Sequence, residues 1–301
     1  MEEERQRQEL GFKKVRFDVL CQEFQQQHLP ILKPRTRANY RGHILVLGAH
    51  FTDHYIDEIR KAHVAEFVAH QKREGLKSPT IRRYLATLSS LFSFAERSGW
   101  LNQNPLARFD KRSLPEAQPR TRFLSKEEYR RLLSASKPHL KPIIEMAVET
   151  GLRSEELLGL RWEQVDLERR EVRLTVTKSN RPRVVPLSDR VVAILVARPR
   201  IADCPFVFIN PSTGNRYKTV KRAFQTTCRR SGIEDLRFHD LRHTFASWAV
   251  QNGADLYRLS RILGHSTLQM TTRYAHLATE QLHEVVKGMA TSTATTHSDS
   301  S

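Results

Sequence analysis

Apolar residues recur at helical spacing through the first third of the chain. Residues 18–28 read as a first helix. Residues 36–47 follow Pro34 and place Tyr40, Ile44 and Leu47 on one face, and residues 63–73 run up to Gly75, a natural stop. Residues 78–97 are the strongest segment, with Ile81, Leu85, Leu88, Leu91, Phe92 and Ala95 forming one apolar stripe before Gly99. Ser78 is expected to cap this helix, with Pro79 at its first position. Four helices of this kind predict a small bundle.

The pattern then breaks. Pro105, Pro115 and Pro119 interrupt residues 105–121, and charge replaces apolar positions, so residues 107–121 read as an extended basic linker. Helical signals resume at Ser125-Lys126-Glu127-Glu128, a capping box, and at residues 143–150, which end on Gly151. Over residues 163–187 the period falls to two. Val172, Leu174 and Val176 alternate, a turn spans residues 178–182, and Val184 and Val185 follow. A hairpin is expected there, with a short strand at residues 165–167 beside it. Further helices are expected at residues 189–197, 220–230, 239–252, 256–263, 268–277 and 280–289. The fold class is therefore mainly α with a small β-sheet. The expected domain plan is a polar extension (1–16), a helical domain (17–106), the linker, an α+β domain (122–290) and a tail (291–301) too polar to fold alone.

Composition narrows the function. The chain has 301 residues, 39% hydrophobic, enough for two cores. Lys and Arg outnumber Asp and Glu by 50 to 33, giving +17 and a pI near 10.2. Both domains are basic, so a polyanion is the expected partner. The longest aliphatic run, residues 191–197, is far shorter than a membrane span of about twenty residues, so no membrane role is expected. No secretory signal is visible, and Cys21, Cys204 and Cys228 are too few and too scattered for a disulfide framework. A cytoplasmic protein is expected.

Three strings in the second domain bear chemistry. In T-G-L-R-S-E-E-L-L-G-L, Arg153 follows a glycine turn at the start of a helix, where free N–H groups favour a phosphate. The plainer alternative pairs it with Glu156. In H-D-L-R-H-T-F-A, His239 and Arg242 share a helix face, with His243 close by. The two histidines lack both an H-E-x-x-H pattern and an obvious third ligand, so no zinc is expected. In L-G-H-S-T-L-Q-M-T-T-R-Y-A-H, Gly264 ends a helix, Ser266 is placed to cap the next, His265 sits in the turn, and Tyr274 lies near the far end of a polar helix.

Taken together and in this order, these strings resemble the tyrosine recombinase family, the lambda-type phage integrases. The resemblance covers residues 17–289; the first domain is similar in length and helical layout only. It implies a helical core-binding domain and an α+β catalytic domain that close as a clamp on DNA. It places the family's catalytic set on Arg153, Lys178, His239, Arg242, His265 and the nucleophile Tyr274. Glu155 departs from the pattern, where many members have a small residue.

The resemblance implies in-line attack by the Tyr274 oxygen on a DNA phosphodiester, giving a 3′-phosphotyrosyl intermediate and a free 5′-hydroxyl. Arg153 and Arg242 would neutralise the non-bridging oxygens. His239 is the candidate base, Lys178 the acid for the leaving 5′-oxygen, and His265 a further donor. No cofactor and no metal is expected. The expected partners are double-stranded DNA at a specific site and three further copies of the chain, a homotetramer on two sites, with accessory DNA-bending or directionality proteins as further candidates. In the first domain Arg35, Thr36, Arg37, Tyr40, Arg41, Ser78, Thr80, Arg82 and Arg83 are candidate DNA contacts. The expected role is integration and excision of a phage or mobile element. Resolution of chromosome dimers, a type IB topoisomerase and a DNA-binding regulator that no longer cuts are the alternatives.

Overall fold

The structure, a computed structural model, describes residues 14–107, 109, 114–116, 120–175 and 182–278. It divides into two compact units, Met1–Pro119 and Arg120–Ser301. The expected helix over 280–289, the tail over 291–301, most of the 1–16 extension and the hairpin turn with Lys178 lie outside the described residues.

The first unit contains α1 (Phe17–Glu23), α2 (Pro34–Phe51), α3 (Lys61–Arg73) and α4 (Ser78–Arg97). The chain leaves α1 through a π turn, Phe24–His28, and a short 3₁₀ turn, Leu29–Ile31, so the expected helix over 18–28 is α-helical only in its first half. Helix α2 outruns its expected bounds. Pro34 starts it without needing an N–H donor, and the apolar stripe continues through Leu47 to Phe51. Ser78 is not a cap: Lys77 holds the cap position, because its carbonyl already accepts from Thr80 N at 2.9 Å, and Ser78 is the first helical residue. Phe17, Phe24, Phe51, Phe67 and Phe92 fill the centre, each fully buried. Leu106 and Leu114 pack into the same core, and the Leu114 carbonyl accepts from Arg82 at 2.6 Å. This part of the expected linker is thus held onto the bundle by apolar burial.

In the second unit α5 (Lys126–Ser134) begins with the expected reciprocal capping box between Ser125 and Glu128. Next come α6 (Lys141–Thr150) and α7 (Ser154–Leu158), then an antiparallel sheet of β1 (Val165–Asp166), β2 (Glu171–Leu174) and β3 (Arg183–Pro186) in that order. Val172 pairs with Val185 and Leu174 with Arg183, so Val172, Leu174 and Val185 face the core. Helix α8 (Asp189–Val196) is capped by the Ser188 hydroxyl. A small hairpin of β4 (Ile209–Asn210) and β5 (Asn215–Arg216) follows. It turns through Gly214 in the left-handed region, with Asn210 Oδ1 accepting from Ser212 N.

Helices α9 (Lys221–Arg230), α10 (Asp240–Gln251), α11 (Leu256–Leu263) and α12 (Gln269–Thr272) complete the described unit, with a 3₁₀ turn at Ala275–Leu277. The expected helix over 268–277 is broken at Arg273 and Tyr274. Leu268 rather than Ser266 holds the cap position of α12. Thr271 and Tyr274, on either side of the break, are both turned inward, at 0% and 4% exposure.

Candidate active site

Two glycine turns bring the site together. Gly151 ends α6 at φ +61°, and a Cβ there would strike the Phe245 ring of α10. Gly264 ends α11 at φ +65°, where a Cβ would lie 2.8 Å from Arg183 Cδ. Only glycine meets both the backbone and the space requirement at these points. The first turn delivers Arg153 at the N-terminus of α7; the second delivers His265.

Helix α11 ends in carbonyls that lack helical partners and bear partial negative charge. Three successive ones receive three arginines. Ile262 O accepts from Arg183 Nε at 2.8 Å, Leu263 O from Arg242 Nη2 at 2.7 Å, and Gly264 O from Arg153 Nη2 at 2.8 Å. Arg242 also donates to Gly151 O at 2.7 Å and is only 5% exposed. Burial first, then the Arg153 and Arg183 charges, push its pKa down to about 9, which leaves it a cation at neutral pH. Glu156 answers part of this charge: it accepts from Arg153 Nη1 at 3.1 Å and from Arg183 Nη1 and Nη2 at 3.0 and 2.6 Å. Burial works to raise the Glu156 pKa, but the Arg183 hydrogen bond and charge, with help from Arg153, hold it below the ordinary range.

His239 sits at the cap position of α10 and is exposed. Partial desolvation, then Arg242, lowers its pKa, against an opposing contribution from Asp240. Asp240 is 1% exposed and accepts from Arg120 Nη2 and Arg237 N, both at 2.9 Å, which fixes the start of α10. His265 Nδ1 is 2.7 Å from Thr271 Oγ1, and burial, then Arg242 and Arg153, push its pKa down to about 3.

Tyr274 is seated against Ala246, Val250, Leu259 and Leu263, with its hydroxyl hydrogen-bonded to His243 Nδ1. Burial raises the phenol pKa, partly offset by Arg273 and Arg242. His243 is itself buried, and desolvation, then His239, push its pKa down to about 4. Arg153, His239, Arg242 and His265 therefore surround the ends of α10 and α11, while Tyr274 is turned toward His243. Lys178 lies outside the described residues.

Sequence reasoning passed over Asp240, His243 and Arg183. His243 was visible only as a would-be metal ligand, and Arg183 was not singled out. For Asp240 and His243 the available signal was their position beside His239 and Arg242.

Two neutral imidazoles, buried His243 and half-buried His265, make stability sensitive to acid. Unfolded histidines titrate near pH 6.5, whereas His243 and His265 hold out to about 4 and about 3. Both forms are neutral above about pH 6.5, so the full stability is present there; as pH falls toward 4 the unfolded chain takes up protons that the folded chain refuses. Urea midpoints are expected to drop steadily from pH 7 to pH 5; a level midpoint over that range would contradict the neutral assignment of the two imidazoles.

In the first unit, Arg35, Thr36, Arg41 and Arg83 are exposed, and Arg37, Ser78 and Thr80 are half-buried. Tyr40 is committed to packing: its hydroxyl donates to Ser90 Oγ and its ring lies on Phe24. Arg82 is tied to Leu114 O and Glu116. His43 touches Thr87 and the Tyr84 ring, so α2 and α4 run antiparallel, and the candidate segments at residues 36–41 and 78–84 lie toward opposite ends of the pair.

Comparison with known proteins adds the family. Residues 122–281 match the phage integrase family, and residues 28–99 match the phage integrase N-terminal SAM-like domain. The integrase of Salmonella phage P22 is 33% identical over 219 residues, covering 67% of this chain and 54% of that protein, so the chain spans about half the length of that relative. A tyrosine recombinase of Thermosipho africanus is 29% identical over 251 residues, 77% of this chain and 85% of its own. Among solved structures, a lambda integrase dimer bound to a COC′ core site superposes with a TM-score of 0.73 at 20% identity, over 87% of this chain and 77% of that one, a likeness of fold. Among the described residues no helix is long and apolar enough to cross a membrane.

Proposed function

The chain belongs to the phage integrase family, and from that premise we propose that it is a site-specific recombinase that integrates and excises a phage or mobile element, with Tyr274 as nucleophile. The observation that carries this reading is the convergence of Arg153 and Arg242 on the adjacent carbonyls of Gly264 and Leu263, next to His265. Such paired guanidiniums suit the two non-bridging oxygens of one phosphodiester.

The chemistry balances without an external energy source. The Tyr274 oxygen leaves His243, loses its proton to neutral His239 and attacks phosphorus. The bond from phosphorus to the 5′-oxygen breaks, and Lys178 protonates that oxygen. A 5′-hydroxyl from another strand reverses the step and rejoins the DNA. Arg153 and Arg242 offset the charge that builds on the phosphoryl oxygens, and His265 donates a hydrogen bond to one of them. Arg35, Thr36, Arg41 and Arg83 of the first unit contribute phosphate contacts, and a homotetramer holds two sites.

The test is covalent selection. A pool of nicked random-sequence duplexes is incubated with the protein and washed under denaturing conditions. Retained DNA should converge on one core sequence, and enrichment of a sequence flanking the gene supports the integrase role over chromosome-dimer resolution. Retention that vanishes on denaturation would instead support a regulator that does not cut. Affinity for the selected site is expected to fall steeply with salt, by about 10³–10⁵ between 50 and 200 mM for six to ten phosphate contacts. A flat response would remove phosphate contact as the main source of affinity.

A further inference from the structure

We propose that Arg183 on β3 is a positioning residue for strand cleavage, acting through Glu156 to set the phosphate-facing guanidinium of Arg153. The inference rests on the recombinase reading above and deepens it. Arg183 is 6% exposed and uses its whole fork: Nε holds the end of α11 at Ile262 O, and both Nη atoms hold Glu156. Glu156 in turn accepts from the backbone N of Arg153 at 2.9 Å and from Arg153 Nη1 at 3.1 Å. The side chain of Arg153 is left 23% exposed, the most open of the three guanidiniums' residues, and so the one placed to meet a phosphate.

Charge explains why the chain needs this third cation. Arg153 alone would draw Glu156 toward itself and so compete with an incoming phosphate for the same donors. Two hydrogen bonds from Arg183 reach both oxygens of Glu156 and fix the carboxylate where, of the Arg153 guanidinium, it holds Nη1 while Nη2 is held by Gly264 O. The same residue ties this arrangement to the α11 terminus that holds Arg242. Gly264 is part of the device, since a Cβ there would press on the Arg183 side chain. A lysine at 183 would keep the charge but not the two-pronged grip.

The test compares wild-type protein with Arg183→Lys and Arg183→Ala on the covalently selected duplex, carrying either an ordinary scissile phosphate or a methylphosphonate there. The methylphosphonate lacks the charge that Arg153 is positioned to neutralise. Single-turnover adduct formation by Arg183→Lys is expected to fall about tenfold or more on the phosphate, short of the order of 10²–10³ typical of losing a direct donor, and to stay within about threefold of wild type on the methylphosphonate. Equal losses on both substrates, or no loss on either, would overturn the positioning role while leaving the recombinase reading intact. Absence of any adduct from wild type would overturn both. Arg183→Ala should show the same substrate dependence with a larger loss, and Arg183→Lys decides the matter if the alanine variant does not fold.

Discussion

Tyr274→Phe is expected to bind its DNA site as wild type does and to form no covalent adduct. The substitution removes only the phenol oxygen, the atom assigned to attack phosphorus, and leaves Arg153, Arg242 and His265 in place to grip the phosphate. Stability should change modestly. The lost hydroxyl is bonded to His243 Nδ1 in a site only 4% exposed, and leaving that nitrogen unpaired costs about 1–3 kcal/mol. The ring itself keeps its place against Leu259 and Leu263. Denaturing gels on a nicked substrate measure the adduct, and native gels measure binding. An adduct from the phenylalanine variant would move the nucleophile elsewhere, and Tyr257, 61% exposed on α11, would be the next residue to substitute.

Arg242→Ala should be the most damaging arginine change, because it strikes rate and stability together. It deletes a proposed phosphate ligand, an expected loss on the order of 10²–10³ in cleavage rate. It also strips the Arg242 donors from Gly151 O and Leu263 O, carbonyls of two buried residues at the ends of α6 and α11. Each orphaned acceptor costs about 1–3 kcal/mol. Arg153→Ala should cost rate without a comparable loss of stability, since Arg153 is more exposed and Arg183 still holds Glu156. Single-turnover adduct formation and urea unfolding on both variants separate the two effects. Equal stability of the two variants would contradict the structural part of this account.

Much of the fold was legible from period alone. The stripe in α4, the capping box of α5 and the hairpin formed by β2 and β3 follow from local pattern, which the backbone obeys wherever one face is buried. The break between α12 and the following 3₁₀ turn was not legible: no helix-breaking residue marks it, and the partners of Thr271 and Tyr274, His265 and His243, lie across a turn or far off in sequence. Leu114 was read as linker for the same reason: one leucine among prolines and charges gives no period, yet it is wholly buried.

The site shows the same division. The motif strings marked Arg153, His239, Arg242, His265 and Tyr274 as a set, and the fold brings the first four to the ends of α10 and α11. The direction of the phenol could not be read, since a tyrosine near the end of a short helix fits either a solvent-facing or an inward rotamer. Nor could the alignment of three guanidiniums on Ile262, Leu263 and Gly264, because carbonyl positions at a helix end carry no signature in side-chain identity. The described state, with the phenol held by His243, implies that the Tyr274 oxygen must change partners before it reaches phosphorus.

Digestion of the wild-type protein–DNA adduct and mass spectrometry of the linked peptide test the nucleophile most directly. The peptide carrying the nucleotide should contain Tyr274, joined through its phenol oxygen to a 3′-phosphate, with a free 5′-hydroxyl on the departing strand. A nucleotide on any other residue, or a linkage to a 5′-phosphate, would contradict it.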